Sequence, residues 1–153
     1  MKNNIYVIGS SNTDMVIKSG LIPKPGETVI GGKFYTFQGG KGANQAVAAS
    51  KLGGKVTFIC RVGDDSFGKN SIRQYEAQGI NTEFIGVEEN EHTGVALIMV
   101  DKKGENLISV SSGANSKIKI QDVSFLETKL TNEDIVLTQL EIPTNVVKYL
   151  IDI

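Results

Sequence analysis

The run Gly39-Gly40-Lys41-Gly42-Ala43-Asn44-Gln45-Ala46 constrains this chain more than any other segment. It joins a stretch of alternating polar and apolar residues to an alanine-rich one, so it must turn sharply and open a helix. Residues this small let the backbone come close to whatever lies beside the turn. Lys41 is out of place there by local physics alone. A helix N-terminus is partially positive, and a lysine on it costs about 0.3–1 kcal/mol. A residue that breaks a local rule often serves a ligand. Asn44, in the first turn, is placed to point at the same spot.

The rest of the composition narrows the class. A length of 153 residues suits one domain with a core of its own. With 40% apolar and 22% charged residues and a net charge of −1, the chain reads as an ordinary globular protein. No Lys/Arg run interleaved with aromatics points to nucleic acid. No apolar run approaches the roughly 20 residues of a membrane span. Met1-Lys2-Asn3-Asn4 leads into an apolar segment without a signal-peptide pattern. Cys60 is the one cysteine, which rules out an internal disulfide. The expectation is a cytoplasmic protein with no nucleic-acid or membrane partner.

Two patterns alternate along the chain. Apolar strands are expected at 5–8, 56–62, 82–87 and 135–140, and helices at 43–52, 66–78, 121–129 and from Pro143 onward. That alternation implies a parallel sheet covered by helices. Shorter strands with polar interruptions are expected at 15–18, 27–30 and 33–38, and as a hairpin over 93–100 and 107–110. With no helices between them, these should form a small antiparallel sheet of their own. The chain stops at 149–153, inside an apolar helical pattern.

Several motifs carry chemistry, each with a plainer competitor. Asn12 and Asp14 follow the first strand, where open α/β sheets bind ligands. An amide that donates and accepts beside a carboxylate that accepts would suit vicinal hydroxyls; an Asx turn is the competing reading. The glycine-rich run at 39–44 suggests phosphate at a helix N-terminus. The dinucleotide pattern fails, however, because Gln45 stands where its third glycine belongs. Residues 63–70 nearly spell a P-loop, yet Asn70 replaces the hydroxyl and Asp64 and Asp65 add negative charge. A structural role in opening a helix is the better reading there. Glu141 stands at the carboxyl end of a strand, a ligand position that also commonly precedes a helix. His92 lies in a polar loop, and Cys60 reads as core packing.

Taken in order, these segments resemble the ribokinase family of carbohydrate kinases. The resemblance rests on Gly9-Ser10-Ser11-Asn12-Thr13-Asp14, Pro25-Gly26-Glu27-Thr28, Gly39 to Ala49 and Gly63-Asp64-Asp65-Ser66-Phe67-Gly68. Thr93-Gly94-Val95-Ala96-Leu97, Gly113-Ala114-Asn115 and Gln139-Leu140-Glu141 extend it across the whole chain.

The resemblance implies a parallel α/β domain flanked by helices, with a small antiparallel β-sheet lid. The chain would be the N-terminal part of one such domain, residues 1–153, with lid strands near 15–37 and 93–110. It implies D-ribose held by Asn12, Asp14, Gly40, Lys41, Asn44 and Glu141, with Ala96 and Ile98 closing over it. It implies ATP-dependent phosphorylation of the 5-hydroxyl in the complete enzyme, and homodimers formed through the lids. The family's catalytic base, an Asp in a Gly-Ala-Gly-Asp motif, is expected beyond Ile153. So are the ATP pocket and the sites of Mg2+ and K+, leaving no catalytic, cofactor or metal residue in this chain. The 153 residues alone are expected to be inactive and poorly soluble, with a sheet edge uncovered. Alternatives are a family kinase for fructose, a nucleoside such as adenosine or a sugar acid, and a non-catalytic sugar-binding remnant.

Overall fold

Tyr6, Val7 and Ile8 are all buried, although neighbouring residues in a strand face opposite ways. A strand buried on both faces belongs in the middle of a covered parallel sheet. A computed structural model, describing residues 3–153, has that arrangement. Met1 and Lys2, part of the leader reading, lie outside the described residues.

In the first sheet, β1 (Asn4–Ile8) pairs in parallel with β4 (Lys55–Gly63) and β8 (Ile135–Thr138). β5 (Ile85–Glu88) pairs in parallel with the far side of β4, giving the order β5-β4-β1-β8. Val7 and Phe58 pack with Ala43, Ala46 and Tyr75 from α1 (Lys41–Lys51) and α2 (Ser66–Ala77). On the opposite face, Tyr6, Ile8 and Ile59 meet Leu126 of α3 (Leu126–Lys129) and Val146, Val147 and Leu150 of α4 (Thr144–Asp152).

The second sheet has the order β3-β2-β6-β7 and comprises β2 (Asn12–Lys18), β3 (Lys33–Gly39), β6 (Gly94–Val100) and β7 (Asn106–Ser111). Its two outer ladders are antiparallel and its central β2–β6 ladder is parallel. Pairing puts Asn12, Asp14, Phe37, Ala96 and Val110 on one face. Ile108, Val110, Phe34 and Leu97 are exposed.

Several sequence expectations need correction. The strand expected at 15–18 begins three residues earlier, so Asn12 and Asp14 belong to β2, which removes the competing Asx-turn reading. Residues 27–30 form no strand. Gly31 and Gly32 take φ of 105° and 99°, and the β2–β3 ladder closes at Lys18–Lys33 without them. The helix expected at 121–129 splits into a 3-10 turn, Ile120–Asp122, and the short α3. That turn opens with the Asp122 carboxylate accepting the Lys119 N–H, and the same carboxylate binds the Arg61 guanidinium.

The glycine run at 39–44 serves a close approach. A Cβ on Gly42 would lie 2.6 Å from the Gly9 carbonyl carbon and the Ser10 nitrogen. A Cβ on Gly40, itself at φ 90°, would lie 2.7 Å from the Ser10 oxygen. The contact is sealed by Ala43 N–H donating to Ser10 O at 2.9 Å. Both sides are backbone and cannot yield by a rotamer change. Gly42→Ala should therefore cost about 1–3 kcal/mol of stability, read as a lower urea midpoint at unchanged m-value.

Candidate functional site

α1 begins where three elements meet. Its N-cap, Gly40, offers no side chain, so the first-turn N–H groups must find acceptors elsewhere. Glu141, just past β8, supplies one. Its Oε2 accepts the Lys41 N–H at 3.0 Å and the Ser10 hydroxyl at 2.6 Å, and its Oε1 pairs with Lys41 Nζ. The Ser10 oxygen in turn lies 3.3 Å from Gly42 N–H. A carboxylate at the head of a helix satisfies both the partial charge and the misplaced lysine. Burial pushes the Glu141 carboxyl up, but the bonds from Lys41 and Ser10 outweigh it and hold its pKa below the ordinary value.

Asp14 has the opposite electrostatics. Burial, and then the nearby Glu141 charge, raise its pKa. Its carboxylate fills the space beside Gly39, where any Cβ would collide with it. Asn12 is 6% exposed, and its Oδ1 accepts from Asn115 Nδ2 at 2.7 Å. A cavity of about 450 Å³ opens between these elements, with Ser10, Asn12, Asn115 and Glu141 in its polar wall and Val110 and Pro143 in its apolar one.

Of the residues singled out from sequence, Asn12 and Glu141 line this cavity. Lys41 is joined to it through its ion pair with Glu141, and Asp14, outside the lining, feels the Glu141 charge. Gly40 caps α1, and Ala96 stands opposite Asp14 in the β2–β6 register. Ile98 sits opposite Val16, one strand repeat further out on the same face. Asn44 is exposed, and its side chain makes no hydrogen bond among the described residues. Ser10 and Asn115 were missed as site residues. Both lie within the matched segments, but neither small hydroxyl nor lone amide announces a partner far off in sequence.

Three other groups are accounted for without a ligand. Asp65 caps α2, accepting Gly68 N–H at 2.8 Å, and also holds Thr93 through its N–H and hydroxyl at 2.8 and 2.7 Å. His92 bridges Thr93 O and the Ser111 hydroxyl at the base of the second sheet. Cys60 is buried, which pushes its thiol up. Among the described residues no group of three or more His, Cys, Asp or Glu side chains is placed to hold a metal ion, and no helix is long and apolar enough to cross a membrane.

Residues 2–150 match the pfkB family of carbohydrate kinases. The chain belongs to that family. It is 41% identical to a ribokinase of Dictyostelium discoideum over 95% of its own length and 46% of the relative's. It is 38% identical to a deoxyribokinase of Salmonella typhi over 97% of its length and 49% of the relative's. The solved structure of Arabidopsis thaliana ribokinase complexed with ribose and ATP superposes with a TM-score of 0.79 at 33% identity, covering 97% of this chain and 50% of that one. This pfkB-family chain thus spans about half the length of the curated relatives it matches.

Glu141→Ala should cost the chain about 1–2 kcal/mol, the worth of a cap plus a helix-dipole contact. Because the Glu141 pKa is depressed, its contribution is present above the ordinary value of 4.5 and lost as pH falls through the lower folded-state value. The stability gap between wild type and variant should therefore close on acidification. In the same variant, NMR titration should find the Asp14 pKa lower than in wild type but still raised, since burial is its larger cause.

Proposed function

We propose that the full-length protein is an ATP-dependent ribokinase, and that this chain supplies its sugar-holding part. The chain forms the N-terminal portion of one ribokinase-like domain, with the second sheet inserted in it as a lid. The observation that carries this reading is the convergence of Asn12 and Glu141, from two separated segments, on one cavity, with Asp14 within reach of the Glu141 charge and the Lys41 ammonium paired with Glu141. A donor amide and two carboxylates match a ligand rich in vicinal hydroxyls. A site built on such bonds rejects analogues that lack a hydroxyl, because buried partners are left unpaired.

In this reading Asn12 and Asp14 hold neighbouring hydroxyls. The Lys41–Glu141 pair with Gly40 and Asn44 closes the far side, and Ala96 and Ile98 cover the ring. ATP supplies the γ-phosphoryl group that passes to the 5-hydroxyl. The contribution of these residues is to fix the sugar and keep its reacting oxygen in line. Residues 63–70 are no nucleotide cradle here, because Asp65 is committed to α2 and Thr93. In this reading Mg2+ and K+ bind mainly in parts of the protein outside this chain. The lid's exposed apolar strands pair in a homodimer, and the protein works in the cytoplasm.

The deoxyribokinase relative favours one second reading, a kinase for 2-deoxy-D-ribose. Full-length protein incubated with ATP and D-ribose, 2-deoxy-D-ribose, fructose, adenosine or a sugar acid decides among them. Release of ribose 5-phosphate at the highest kcat/KM is the expected result. Asp14→Ala should lower kcat/KM for ribose by about 10–100-fold, the loss of charged hydrogen bonds; unchanged turnover at low ribose would sink the assignment. For the dimer, Ile108→Lys should convert it to monomer in sedimentation velocity.

A further inference from the structure

Asn115 sits 2% exposed in the 3-10 turn Gly113–Lys117, directly after β7. Its carboxamide is fully engaged. Oδ1 accepts the Ser11 N–H at 2.8 Å, while Nδ2 reaches Ser11 O at 3.3 Å and Asn12 Oδ1 at 2.7 Å. A backbone N–H can only donate. It therefore fixes which end of the Asn115 amide faces Ser11, and leaves the NH2 end facing Asn12. Asn12 must answer with its oxygen. Its own NH2 has no hydrogen-bond partner among the described residues, is not sealed from solvent, and belongs to a residue that lines the cavity.

We propose that Asn115 is a positioning residue that sets the hydrogen-bond polarity of the sugar site. It holds Asn12 with its NH2 toward the cavity, so the ligand oxygen met there must accept. The neighbouring hydroxyl, facing the Asp14 carboxylate, must donate. The two vicinal hydroxyls are thus read with opposite polarity, and the order is dictated by the peptide N–H of Ser11. This inference rests on the reading of the cavity as a sugar site.

Fluorinated sugars test it, because fluorine accepts weakly and cannot donate. Full-length protein would be titrated calorimetrically with D-ribose and its 2-deoxy-2-fluoro and 3-deoxy-3-fluoro analogues. Wild type should bind one analogue within about ten-fold of ribose and lose the other. Two variants invert the polarity at Asn12 by different routes. Asn115→Asp cannot donate, so Asn12 turns its NH2 inward. Asn12→Asp presents only acceptor oxygens to the cavity. In both, a hydroxyl can adapt but fluorine cannot. The Kd ratio of the tolerated analogue to ribose should rise about ten-fold or more while ribose still binds.

Ratios unchanged within about two-fold in variants that melt like wild type would overturn the proposal, as would a wild type that binds ribose and rejects both analogues. A wild type that binds no sugar would instead remove the sugar reading. The relay is then judged by NMR on the unliganded protein. Slow exchange of the Asn115 side-chain NH2 protons and fast exchange of those of Asn12 support it, and the reverse pattern refutes it.

Discussion

The Glu141 carboxylate at the head of α1 is the contact on which the rest depends. It follows the edge strand β8, yet it binds the first N–H of a helix a hundred residues earlier and the hydroxyl of the loop leaving β1. The first sheet's edge, its central strand and its first helix are therefore tied at one point. The tie works only because α1 is pressed onto Gly9 and Ser10, and that closeness requires Gly40 and Gly42. Backbone proximity sets up the electrostatics here.

The same economy of space governs the second sheet. The chain enters it at Asn12, re-enters it at Gly94 and leaves it just before Asn115. A Cβ on Gly94 would collide with Asn12 Oδ1 and Asn115 Nδ2. Three of the four crossings thus meet around one amide-amide hydrogen bond, and the fourth, at Gly39, packs against the Asp14 carboxylate. Asp65 and His92 brace the neighbouring Thr93 from two sides. The base of the lid is densely bonded, whereas every residue of β7 is exposed.

Local pattern made the parallel sheet legible, because continuous apolar runs such as 5–8 and 56–62 have few other destinations. The glycine run announced a close approach, and Lys41 announced a partner. The partner's identity was out of reach of local reasoning. Nothing near Glu141 in sequence shows that its carboxylate neutralises Lys41, nor that Ser10 completes the group. For Asn12 and Asp14 an Asx turn competed with a ligand role, because Asx residues so often make one. Tertiary pairing with β3 and β6 won instead, and strand alternation then set both side chains on one face. The expected strand at 27–30 failed for a local reason: Gly31 and Gly32 break the extended backbone with positive φ, and the β2–β3 ladder closes at Lys18–Lys33 without it.

Three charges crowd the cavity's edge, and their balance is uneven. Lys41 is claimed by Glu141, whose ionised form is favoured by every bond it accepts. Asp14 has no such cation, and both its burial and Glu141 disfavour its charge. One carboxylate is thus held by named donors, and the other accepts no hydrogen bond from the described residues. Under the proposed sugar reading, a ligand hydroxyl donating to Asp14 would meet no competing donor among the described residues, whereas one offered to Glu141 would compete with Ser10 and Lys41. On that proposed reading, ligand selectivity would come chiefly from Asp14. Glu141 would serve mainly to hold the walls in place.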